Sequence, residues 1–251
     1  MNPSGPRKGL FQWRSALCGA ATLWLAGLAQ AAGYTDFLPC EPLDPTVQYH
    51  DINEPADQQL RGTVERNHFT PPVETLQAGL TAPLPRDIAF ALRQFPNHYR
   101  ALNSMARWQL LNKKPLDSEN LVWTADCYFL RAADFVPDDW RVRFIYAIYL
   151  HRAKRYPEAE QQYDSAEQLG AEGAEFFYNR GLLAVDEGKL DAASAYADKA
   201  YEMGYPLKGL RDKLARARSG APLKPPAPAT RKKAKPATQS MKLPETAQKS
   251  P

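Results

Sequence analysis

VWTADCYFLRAADFVP (122–137), YPEAEQQYDSAEQLG (156–170) and LDAASAYADKAYEMG (190–204) are three versions of one stretch, set 34 residues apart. Ala125, Ala159 and Ala193 share a place in it, as do Ala132, Ala166 and Ala200, with Phe129, Tyr163 and Ala197 between them. Val122, Tyr156 and Leu190 lead the copies, and Ala147 and Gly181 keep the same interval in the segments between. Small residues locked to large ones at such a period mark a helix–turn–helix unit repeated along the chain. Alanine or glycine is needed where the two helices of a pair cross closely, and aromatic residues fill the gaps between successive pairs. No pair can bury its apolar face alone, so about three must stack.

Working outward, the second pair is predicted at Trp140–Ala153 and Pro157–Leu169 and the third at Glu175–Glu187 and Asp191–Met203. Gly170, Gly188 and Gly204 fall just past helix ends, where a left-handed residue is cheap for glycine. The first pair is His98–Leu111 and Leu121–Phe135, with an expanded polar loop, Asn112–Asn120, in which Asp117 and Ser118 offer N-caps. Asp138 and Asp139 read as first-turn acids. Arg86–Gln94 is a leading helix with Ile88, Ala91 and Leu92 on its apolar stripe. Pro206–Arg218, with Leu207, Leu210, Leu214 and Ala217 in step, reads as the closing cap that a stacked array needs.

Residues 32–84 read as an irregular N-terminal segment, punctuated by Pro39, Pro42, Pro45 and Pro55. Asp57–Asn67 can form a short helix. Thr70-Pro71 reads as an N-cap followed by a first-turn proline, with Val73, Leu76 and Leu80 on one face for two or three turns. His68 and His98 lack a histidine or cysteine at metal-ligand spacing and are expected to cap or pack against helix ends.

The chain begins as a secretory signal would. Arg7, Lys8 and Arg14 precede the apolar run Ser15–Leu28, and Ala29-Gln30-Ala31 follows as a small-x-small site. The run is shorter than the roughly 20 residues that a spanning helix needs. Cleavage near Ala31 and export to a bacterial periplasm are expected, with an uncleaved membrane anchor as the alternative. Cys18 would leave with the signal. Cys40 and Cys127 then form an even pair in an oxidising compartment, and a disulfide between them is expected, the alternative being two free thiols.

Charge is unevenly spread. The formal net charge is +4, but the first 31 residues carry +3 and residues 219–251 carry +6, leaving −5 for residues 32–218. The pI near 8.9 is therefore no nucleic-acid footprint. Residues 219–251 hold seven prolines, six lysines and one arginine and almost no large apolar side chains, so a disordered tail is expected. It reads either as a solvated end or as a contact for anionic membrane or cell wall through Arg231-Lys232-Lys233-Ala234-Lys235. No phosphate-binding glycine loop, metal-ligand spacing or nucleophile elbow is found, so the reading is a non-enzymatic protein with no metal and no cofactor.

Residues 98–206 resemble tetratricopeptide repeats. Ala147, Tyr156, Ala159, Tyr163 and Ala166 match the family pattern in one repeat, and Gly181, Leu190, Ala193 and Ala200 in the next. Arg143, Ala197 and Tyr205 depart from it. With Asn67-His68-Phe69-Thr70-Pro71, Phe95-Pro96-Asn97-His98 and Cys127-Tyr128-Phe129, most of the mature chain also resembles exported bacterial repeat proteins, which bring no activity with them. The resemblance implies an all-α, short helical solenoid over residues 85–218, of about three pairs plus caps. It also implies a concave groove lined by the first helix of each pair. Arg100, Asn103 and Arg107 would line it from one helix, Arg141, Phe144 and Ile148 from the next, and Tyr178, Asn179 and Leu182 from the third. Such a groove suits an extended peptide of some acidic character. Ordinary helix surface or packing between repeats is the alternative for each lining residue. The carboxylate clamp of chaperone-binding members is not carried over: Asn179 fits it, but Ile145 and Arg107 do not. Two roles follow. One is an exported adaptor that holds a protein partner in its groove during assembly of an envelope structure. The other is a structural protein tethered to membrane or wall by its tail.

Overall fold

The computed structural model describes residues 40–112 and 122–220. The expected signal, the Asp117 and Ser118 caps and nearly all of the basic tail lie outside these residues. Among the described residues all regular structure is helical. A single 3-10 turn, Pro55–Asp57, leads into α1 (Gln58–His68), α2 (Pro71–Glu74), α3 (Leu84–Gln94), α4 (Tyr99–Leu111) and α5 (Ala125–Phe135). Then come α6 (Trp140–Arg152), α7 (Tyr156–Gln168), α8 (Ala174–Asp186), α9 (Leu190–Glu202) and α10 (Gly209–Arg218). None of these helices is long and apolar enough to cross a membrane.

Adjacent helices pack as pairs, most closely α6 with α7 and α8 with α9, and the small residues sit where they cross. Ala147, Ala159, Ala166, Ala193 and Ala200 are fully buried. Gly181 has the sharpest reason for its size: a Cβ there would stand 2.6 Å from Leu210 Cδ2 of α10 and 3.3 Å from Tyr196 Cβ of α9. Phe129 and Tyr163 are wholly buried aromatics. Phe144 and Phe176, from α6 and α8, close on Tyr163 with ring centres 6.2 and 5.8 Å away. Where the third copy has Ala197 in place of an aromatic, a second, smaller core forms around Leu210 and Leu214 of α10.

The turns that end α7, α8 and α9 share one device. Gly170, Gly188 and Gly204 take φ of 89°, 75° and 81°. In each, the next residue's N–H reaches back to a buried carbonyl: Ala171 to Ala166, Lys189 to Ala184, Tyr205 to Ala200. This is a left-handed helix stop, which satisfies carbonyls the helix leaves open. The turn after α6 has the same form, with Arg155 N–H on the Leu150 carbonyl, but its left-handed residue is Lys154 at φ 63°.

Three local expectations need correction. α5 starts at Ala125, not Leu121, because Thr124 is its N-cap, the hydroxyl accepting from Cys127 N–H at 3.2 Å. α2 is a single turn rather than two or three. Leu76 turns left-handed at φ 62° and Leu80 is 55% exposed, so the apolar stripe stops at Val73. Thr70 does stand at the N-cap of α2 with Pro71 after it, although its side chain makes no cap bond. Asp139 is the N-cap of α6 rather than a first-turn acid, accepting from Arg141 N–H at 3.0 Å.

The segment ahead of α3 is not peripheral to the core. Val64, Phe69 and Val73 are buried in the same apolar cluster as Ile88, Leu102 and Phe129. Polar anchors hold it there. Asp87, 1% exposed on α3, accepts from Leu80 N–H at 2.6 Å, Thr81 N–H at 3.0 Å and Thr81 Oγ1 at 2.6 Å, with His68 Nδ1 at 3.2 Å. Burial raises the Asp87 pKa, but these hydrogen bonds outweigh it and hold the carboxyl below its ordinary value. Buried Asn97 accepts from Ile52 N–H at 3.1 Å and donates to Asp51 at 2.7 Å. His68 stacks on Phe90 with ring centres 3.7 Å apart. His98 is the N-cap of α4, its Nδ1 accepting from Ala101 N–H at 3.3 Å.

Cys40 and Cys127 form a disulfide, with Cα atoms 5.4 Å apart. It ties residues 40–50 to α5, and Arg131 completes the fastening. Its guanidinium, almost fully buried, donates to the carbonyls of Glu41 at 2.6 Å and Pro42 at 2.5 Å and lies 4.4 Å over Trp123.

Candidate functional site

Helices α4, α6 and α8 leave a groove with a volume of about 610 Å³ between them. On α6 its floor is a stripe at four-residue steps, Trp140, Phe144, Ile148 and Arg152, with Arg141 and Ile145 beside it. Residues at that spacing share one face of a helix. Tyr99, Arg100 and Asn103 supply the α4 side, and Glu175, Tyr178, Asn179 and Leu182 the α8 side. Tyr205 and Leu207, from the turn before α10, close one end. Tyr178 and Tyr205 pack with ring centres 4.3 Å apart.

Of the residues that the resemblance placed in a groove, Arg100, Asn103, Arg141, Phe144, Ile148, Tyr178, Asn179 and Leu182 are brought together here. Arg107 is not among the lining residues; it stands at the side, half-buried, one turn past Asn103 on α4. Trp140 and Arg152 were missed, although their four-residue offsets from Phe144 and Ile148 pointed to them. Tyr205 and Leu207 had no comparable signal, because they come from a turn whose path depends on where α10 docks.

The cations of the groove have different surroundings. Arg100 is bound by Glu74, with Nε to Oε1 at 2.8 Å and a second, parallel contact, and Glu65 lies 3.7 Å away. The Glu74 hydrogen bond raises the Arg100 pKa and lowers that of Glu74. Arg141 lies 4.7 Å over the Trp140 ring, with Asp139 at 3.9 Å. Arg152 is different. Its pKa is lowered from the ordinary arginine value, first by desolvation against the groove wall and then by the charge of Arg107, although arginine stays charged throughout the physiological range.

A smaller polar cavity of about 280 Å³ adjoins the groove, and Tyr99 and Arg100 line both. Here His98, 1% exposed, meets Glu65 at 3.2 Å through Nε2. Because Nδ1 accepts from Ala101 N–H, Nε2 carries the proton and donates. Desolvation holds the His98 pKa below its ordinary value against the opposing pull of Glu65, with Arg100 adding to the lowering. Tyr99 donates to Asp139 and accepts from Asn53 at 2.6 Å, and burial followed by the Asp139 hydrogen bond raises its pKa. These groups brace the first turn of α4, which carries Arg100 into the groove.

The groove offers aromatic faces, aliphatic patches, two amides and guanidinium groups, and no His, Cys, Asp and Glu set among the described residues could hold a metal ion. Set against protein-family models, curated proteins and solved structures, the chain matches none.

Proposed function

We propose that this protein is an exported adaptor of tetratricopeptide type that holds a segment of a protein partner in the groove of α4, α6 and α8. The observation that carries the reading is the groove lining. Trp140, Phe144, Tyr178, Ile148 and Leu182 supply its apolar and aromatic lining, with Arg100, Arg141 and the amides of Asn103 and Asn179 beside them. Aromatic residues and arginine are the side chains that dominate binding energy at protein interfaces. The paired helices, the alanine register and the left-handed stops support a short solenoid, whose concave face serves binding. The Cys40–Cys127 bridge and the Ala29-Gln30-Ala31 site support work outside the cytoplasm, in the envelope.

Site-specific photo-crosslinking in the native envelope tests the reading. A photoreactive residue at Leu182 should trap one recurrent partner, whereas the same residue at Lys199, on exposed α9 surface, should not. Equal capture from both positions, or none from Leu182, would count against it.

A further inference from the structure

Arg152 has neither an acidic nor a hydrogen-bonding partner among the described residues, and nor has Asn103, which lines the same groove from α4. Arg107, one turn beyond Asn103 on α4, adds positive charge near Arg152 and also acts on Glu74 from a distance, without a direct ion pair among the described residues. This contrasts with the neighbouring arginines, Arg100 on Glu74 and Arg141 on Trp140. A guanidinium presents a planar fork of donors that a carboxylate satisfies with two parallel bonds. Arg152 is exposed and lines the groove, so its fork is open to a ligand lying there. The apolar stripe of α6 leads to this point: Trp140, Phe144 and Ile148, then Arg152 one helical turn on. One turn of four residues is about 6 Å and two turns about 12 Å. An extended chain covers these spans in roughly two to four residues at about 3.3 Å each.

Resting on the groove-binding reading above, we propose that Arg152, with Asn103 of α4 in the same groove and the charge of Arg107 nearby, is the seat for a side-chain carboxylate of the bound segment. The partner is then an extended peptide in which Asp or Glu stands about two to four residues from a bulky apolar residue, which packs on Phe144 or Ile148. The groove's other charged groups lie elsewhere or are already engaged. Glu175 belongs to α8, and Arg100 and Arg141 already have partners of their own.

The test is to pan a random dodecapeptide phage library on the full chain with its disulfide intact, then measure the best synthetic peptide by fluorescence anisotropy. Enriched peptides should share an acid at that spacing from Leu, Ile, Phe or Trp. Arg152→Gln should weaken binding about tenfold or more, the scale of a charged hydrogen bond. Changing the peptide's acid to its amide should cost the same, and combining the two changes should add little. Arg216→Gln, on exposed α10 surface, should leave affinity unchanged. Arg152 is exposed at a helix end, and thermal melts of the variants establish that each is folded. Peptides lost with Tyr178→Ala but kept with Arg152→Gln would overturn the carboxylate seat alone, as would enrichment of basic or acid-free peptides. Peptides indifferent to both variants, or no enrichment at all, would overturn the groove reading and the seat with it.

Discussion

The front of the molecule, from Cys40 to α5, and the back, from α6 to α10, are both helical but are held together differently. In the back, close helix crossings at Ala147, Ala159, Ala166, Gly181 and Ala193 do the work, and left-handed stops end the helices. In the front the spacing is irregular, and polar and covalent anchors replace register: Asp87, Asn97, Arg131 and the Cys40–Cys127 bridge. A regular repeat can rest on its register because every pair supports the next, and ion pairs such as His151–Asp186 and Arg180–Asp164 add to it. An irregular segment needs long-range ties to reach the same core. The groove uses helices of both regions: α4 from the front, α6 and α8 from the back.

The comparison breaks most sharply at Ala166. Ala166→Trp places an indole where two helices touch, in an array close to the smallest that can stack. Loss of cooperative folding is expected; a circular-dichroism melt that stays cooperative at the wild-type temperature would contradict the register account. Next comes the bridge. Its sequence separation of 87 corresponds to roughly 4–5 kcal/mol of loop-closure entropy. Cys40→Ser with Cys127→Ser should therefore lower stability by up to about that amount, and hydrogen exchange should accelerate in residues 40–57 and α5 more than in α8 and α9.

A smaller effect is expected at Asp87, the polar anchor. Asp87→Ala strands the N–H groups of Leu80 and Thr81 and should cost about 3 kcal/mol in urea unfolding. The same carboxyl predicts a pH dependence. Its folded pKa lies below the ordinary 3.8, so the unfolded chain takes up the proton first. The contribution is present above that value and is lost as pH falls through the lower, folded one. Wild-type urea midpoints should drop across this acid range more steeply than those of Asp87→Asn. The smallest effect lies in the back, where Lys154 fills a left-handed stop that Gly170, Gly188 and Gly204 fill elsewhere. Lys154→Gly should raise stability by about 1 kcal/mol, with the groove untouched.

The register was legible because small residues at helix crossings leave a periodic mark, and that mark located the helices of the back to within a few residues. Most of the groove's lining came from the family resemblance, not from the mark itself. The anchors of the front left no such mark. Arg131 looks like a surface arginine on a helix, and only the fold brings the Glu41 and Pro42 carbonyls to it from about ninety positions earlier. Asp87 reads as a first-turn acid, whereas its partners are backbone groups of the preceding loop. Lys154 lacks the glycine that announced the other stops. Thr124 was hidden because the alanine register of its helix runs on without signalling where the helix begins.

The groove claim is tested most directly by comparing partner capture between two variants of the full chain in its native envelope. One is Arg141→Glu with Tyr178→Ala; the other is deletion of residues 219–251. Crosslinked partner recovered from the deletion variant but lost from the groove variant is the result this account predicts. Partner retained by the groove variant and lost with the tail would contradict it and would make the basic tail, rather than the groove of α4, α6 and α8, the point of attachment.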